Sequence, residues 1–201
     1  MAIKFAVLTI SLLLFSVFTQ AQSNQPAIDR LGITSISFDN KQYPLSWSSH
    51  PAEHYYKQEY LAKGAIVARY NTMILVDVLL GDKSLKEIVS AKIAELKQQQ
   101  SANPMVNYQL FDNAAKGEYM IDFLLSANAP DGKTMSIVER NVYRYKTFTD
   151  KLGRKGILLF GVSTRGYGKN IDAFLLSLKA SKNVLVNQVA KYTLPVITLL
   201  E

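Results

Sequence analysis

Thr134-Met135-Ser136-Ile137-Val138-Glu139-Arg140-Asn141-Val142-Tyr143-Arg144-Tyr145-Lys146 and Gly156-Ile157-Leu158-Leu159-Phe160-Gly161-Val162-Ser163-Thr164-Arg165 decide the reading of the fold. Both stretches are rich in β-branched and aromatic residues, and Asp150 and Gly153 lie between them, which predicts two strands and their turn. Each stretch exceeds the usual strand of about five or six residues, so the hairpin is expected at the centre of a sheet.

The flanking chain supplies further strands. Alternation over 33–38 and 42–47, separated by Asp39-Asn40, predicts a first hairpin, with Pro44 marking an edge or an irregular start. Residues 55–61 and the apolar run 73–80 follow as strands, then 106–111 and 118–125 around Lys116-Gly117. Ser84-Leu85-Lys86-Glu87 matches a capping box and opens a helix whose stripe is Leu85, Ile88, Val89, Ile93 and Leu96. Asn170 opens a second predicted helix, 171–189. Hairpins followed by covering helices predict an α+β domain: a mostly antiparallel sheet flanked by two main helices in an α/β/α sandwich.

This order of elements resembles the PsbP-like superfold of small secreted or lumenal domains. The stretches that carry the resemblance are Lys41-Gln42-Tyr43-Pro44-Leu45-Ser46-Trp47, the strand before Lys83-Ser84-Leu85, the chain from Gly117-Glu118-Tyr119 to Arg144, and the C-terminal helix with Phe174. The resemblance implies a domain that binds or assists, and it transfers no functional residue.

Lys4, the apolar run 5–18 and the small residues Thr19 and Ala21 have the layout of a secretory signal peptide cleaved near Ala21. The expected organisation is a signal peptide over 1–21, a flexible lead over 22–32 and one domain over 33–201. The chain has no cysteine, which excludes disulfides and a cysteine-linked lipid anchor. The product is therefore expected in the periplasm or outside the cell, not as a lipoprotein, with no membrane span in its mature part. The net charge of +7 is scattered and reads as a solvated surface, and export argues against nucleic acid as a partner.

Three patterns could carry chemistry. His50-Pro51-Ala52-Glu53-His54 fits H-x-x-E-H, in which two imidazoles on one helical face hold zinc and the glutamate acts as base. Here it falls between strands, and the chain has no third histidine. Gly161-Val162-Ser163-Thr164-Arg165-Gly166 approximates a nucleophile elbow but has Arg165 where glycine is required, and no histidine follows Ser163. The same stretch lacks the lysine of a phosphate loop, since Tyr167 stands in its place.

The third pattern is a polar strip. Glu139, Asn141, Tyr143 and Tyr145 share one face of the first arm, and Ser163 and Arg165 share one face of the second. If the register joins these faces, Glu139 meets Arg165. The strip is then either a ligand groove or a cross-strand ion pair beneath a helix. The expectation is an exported, non-catalytic binding or accessory domain of bacterial origin, with no cofactor and with a protein or an anionic small molecule as partner. The alternative is an exported zinc hydrolase that uses His50 and His54.

Overall fold

A computed structural model of the chain describes residues 26–150 and 152–200, and the expected signal peptide lies outside them. In chain order the elements are β1 (Ser35–Phe38), β2 (Lys41–Ala52), β3 (Tyr55–Leu61), β4 (Thr72–Leu80), α1 (Leu85–Ala102), β5 (Asn107–Asn113), β6 (Glu118–Asn128), β7 (Met135–Thr149), β8 (Lys155–Tyr167), α2 (Ile171–Ala180) and α3 (Val184–Lys191). The eight strands form one antiparallel sheet in the order β1-β2-β3-β4-β8-β7-β6-β5.

The long hairpin is β7 and β8, paired without a bulge from Ile137↔Tyr167 to Thr149↔Lys155. Asp150 shapes its turn by accepting the N–H groups of Leu152 (2.9 Å) and Arg154 (2.8 Å). The sheet is two meanders, β1–β4 and β5–β8, joined where β4 pairs with β8. Alternating directions leave β4 and β5 parallel, so their connection must cross the sheet face. Helix α1 makes that crossing, and its capping box is formed: Ser84 Oγ accepts the Glu87 N–H (3.2 Å) while Glu87 Oε2 accepts the Ser84 N–H (2.8 Å).

Alternation along the strands divides the core. On one face, Leu85, Val89 and Leu96 of α1 pack on Ile121, Phe123, Leu125, Tyr145 and Ile157. On the other, Val186 and Val189 of α3 pack on Val142, Phe160 and Val162. The C-terminal tail closes this second face. Tyr192 stacks on Phe160 (centroids 4.5 Å apart, planes at 12°), Ile197 is buried, and Thr198 and Leu200 donate their N–H groups to the carbonyls of Leu31 (2.9 Å) and Arg30 (3.0 Å).

The α/β/α sandwich built on two main helices is not what forms. Among the described residues the body is the eight-stranded antiparallel sheet, and the helices are three short ones. The predicted helix over 171–189 breaks into α2 and α3 at residues 181–183. The ends of both helices are held from β7. Arg140, buried and gripped by Asp122 through two bonds (2.9 and 2.8 Å), donates to the Lys182 carbonyl (2.5 Å) between the two helices. Arg144, also buried, bonds Glu118 (2.9 Å) and donates to the carbonyls of Val189 (3.2 Å) and Tyr192 (2.9 Å) at the end of α3. A cation beside the free carbonyls of a helix end satisfies them and complements the helix dipole. These two arginines are thus structural, although among the scattered bases they read as solvated surface.

Among the described residues, no helix is long and apolar enough to cross a membrane.

Candidate functional site

The register brings the predicted strip together. Glu139 lies opposite Arg165, Asn141 opposite Ser163, and Tyr143 opposite Gly161. All five predicted residues (Glu139, Asn141, Tyr143, Ser163 and Arg165) face the side of the sheet that carries α1. Gly161 makes room for this arrangement: a Cβ there would come within 2.8 Å of both Leu75 and the Tyr143 ring.

The polar atoms bond to one another. The Glu139 carboxylate takes the Arg165 Nε–H and the Tyr70 hydroxyl (2.5 Å) on Oε2, and the Asn141 amide (3.0 Å) on Oε1. Asn141 Oδ1 accepts the Ser163 hydroxyl at 2.5 Å. Glu139, Asn141 and Ser163 are buried; the Arg165 side chain keeps 17% of its exposure. A buried ion pair is tolerated when hydrogen bonds fill its remaining valences, and the Glu139 carboxylate has bonds from three partners.

Tyr70, which alternation alone did not single out, completes the network. It comes from the connection over residues 62–71, which folds back so that Tyr70 is buried against Leu61, Met73 and Leu75. Tyr167 pins that fold: its hydroxyl accepts the Tyr70 N–H (3.0 Å) and donates to the Tyr70 carbonyl (2.9 Å). The Arg165 guanidinium lies 4.2 Å over the Tyr70 ring, an attraction strengthened by desolvation. Burial and the Glu139 carboxylate push the Tyr70 phenol far up, so it stays a donor. Burial pulls Arg165 down, and the adjacent carboxylate more than reverses this.

Beside this network lies a second group of acids on β3 and β4. Asp77 accepts the Tyr55 hydroxyl (2.7 Å) and has Lys57 3.9 Å away; burial raises it against the pull of Lys57 and the Tyr55 bond. Glu59, opposite Trp47 and Leu75, is half-buried and, among the described residues, takes no hydrogen bond or ion pair. Burial raises its carboxyl to about 7, with Asp77 and Glu139 adding to the effect and Lys57 and Arg165 opposing it. Its place on an apolar–polar strand was legible; its burial was not, because that depends on β2 and on the folded connection.

The H-x-x-E-H stretch turns out to be a hairpin tip. His50 lies in the last residues of β2, which runs to Ala52, and Glu53 and His54 form the turn into β3. His50 stacks on Tyr56 at 4.2 Å and bonds the Glu53 carbonyl (3.2 Å), while the exposed His54 lies 4.0 Å from the Glu53 carboxylate. The helical face that the zinc pattern needs is absent at this site. Among the described residues, no group of three or more His, Cys, Asp or Glu is placed to hold a metal. Two shallow depressions lie elsewhere, one along Asn103, Met105, Ser126 and Met135, the other along Phe148, Leu158, Pro195 and Val196.

No curated protein and no solved structure matches the chain. A protein-family model, described only as a family and without an assigned function, matches residues 33–194. That span runs from just before β1 through the whole sheet and all three helices, so the chain belongs to this family.

Proposed function

We propose that the protein is an exported, non-catalytic domain that binds or assists a partner in the bacterial periplasm or exterior. The observation that supports this reading is the self-satisfied network of the central hairpin. Catalysis by Ser163 would need a neighbouring base, but its hydroxyl donates to the Asn141 carbonyl oxygen, which is no base. Glu139 already holds bonds from Arg165, Tyr70 and Asn141. Within the strip, Arg165 is the cation that water still reaches, so an anionic group on a ligand or partner protein would be read there.

The test has two arms. Fractionation of the native host, with the N-terminus determined, is expected to find the protein exported and beginning near Gln22. Metal analysis of the untagged protein and a hydrolase screen, each run beside a His50→Ala/His54→Ala variant, are expected to give neither stoichiometric zinc nor turnover. Retention of an unprocessed chain in the cytoplasm, or zinc-dependent hydrolysis lost in the variant, would overturn the proposal.

A further inference from the structure

Among the described residues β5 is an open edge of the sheet, and an edge strand presents unpaired N–H and C=O groups to any further strand. Natural edges are commonly blunted by proline, lysine or a bulge. Asn107-Tyr108-Gln109-Leu110-Phe111-Asp112-Asn113 contains no proline and no basic residue, and it pairs with β6 without a register shift. Asn107, Gln109, Leu110, Asp112 and Asn113 are exposed. The opposite edge differs: β1 has only four residues, and the C-terminal tail is bonded to the chain just before it.

The geometry points to a second copy of this chain as the strand that completes β5, in an antiparallel pair centred on Leu110. The seven residues are complementary to themselves about that point. Asn107 faces Asn113 of the copy, amide to amide. Tyr108 faces Asp112, and Gln109 faces Phe111. Leu110, one of the exposed large hydrophobics, faces its own counterpart. The two Asp112 side chains are held apart, so like charges do not oppose each other.

Charge beyond the strand agrees. Lys116 lies in the 3-10 turn that follows β5, and this pairing brings that turn level with the stretch of the copy between the end of its α1 and its β5. The last turn of α1 has no basic residue of its own, and a cation there meets the negative end of the helix dipole. The resulting interface is isologous, the commonest symmetry of soluble oligomers.

Light scattering on the purified protein tests this, and the expected mass is twice that of the monomer. Leu110→Lys, which opposes two charges at the axis on an already exposed site, is expected to halve the mass and leave the circular dichroism unchanged. The chain has no cysteine, so Leu110→Cys adds the sole thiol. Across the axis its Cβ would lie about 4.5–5.5 Å from its copy, near the reach of a disulfide. It is expected to oxidise to a covalent dimer much faster than Gln109→Cys, which faces Phe111. A monomer at all micromolar concentrations, a dimer indifferent to Leu110→Lys, or equal cross-linking of the two cysteine variants would overturn the proposal. A monomer would leave the edge to a different partner.

Discussion

Glu59→Gln should make the protein more stable at pH 8 and nearly indifferent at pH 4. The carboxyl stands at about 7 in the fold against an ordinary 4.5, because burial penalises its charged form. A raised acid binds more protons folded than unfolded. Its contribution is therefore intact below 4.5 and is lost as pH rises through about 7. The full shift corresponds to about 3 kcal/mol. Glu59 keeps some contact with water and has Lys57 beside it, so a cost of about 1–3 kcal/mol is expected at pH 8. The amide keeps the shape of the side chain and removes the charge. Urea unfolding of both proteins at pH 4 and pH 8 is the assay. At pH 8 the variant should gain about 1–3 kcal/mol, a Tm rise of roughly 2–12 °C for a chain of this size; at pH 4 the curves should nearly coincide. Equal stability at pH 8, or a shift of the same size at both pH values, would refute the argument that ionised Glu59 strains the fold.

Removing Glu139 as alanine leaves Arg165 buried without its counter-charge and should cost about 3–5 kcal/mol in urea unfolding, the usual penalty for breaking a buried pair. Tyr70→Phe removes one donor to the same carboxylate and should cost about 1–3 kcal/mol, with thermal unfolding as the check. Gly161→Ala places a methyl group against Leu75 and Tyr143 at 2.8 Å and should cost about 1–3 kcal/mol by overpacking, measurable as a fall in Tm. Ser84→Ala deletes the N-cap of α1 and should cost about 1 kcal/mol in the same assay.

Local pattern carries far in this chain. Period-two alternation, apolar runs and β-branched content located the strands, because a strand must bury at least one face and its side chains alternate between faces. The capping box at Ser84 formed as read, because it involves only neighbouring residues. The pairing of Glu139 with Arg165 was foreseen as a condition on register. It is met because the long hairpin runs without a bulge, and a slip of one residue would have turned the polar strip to the opposite face.

What the chain order could not decide depended on contacts distant in sequence. The break between α2 and α3 lies where Arg140, more than forty residues earlier, reaches the Lys182 carbonyl, and Arg144 reaches the carbonyls at the far end of α3. Tyr70 enters the network only because the connection before β4 folds over the sheet and Tyr167 clamps it. The sequence by itself determined the strands, the capped helix and the faces their side chains share, since these follow from periodicity and neighbouring bonds. Only the tertiary structure decided how the two meanders join through β4 and β8, which charges are buried and which edge stays open, because burial and long-range pairing are properties of the assembled sheet.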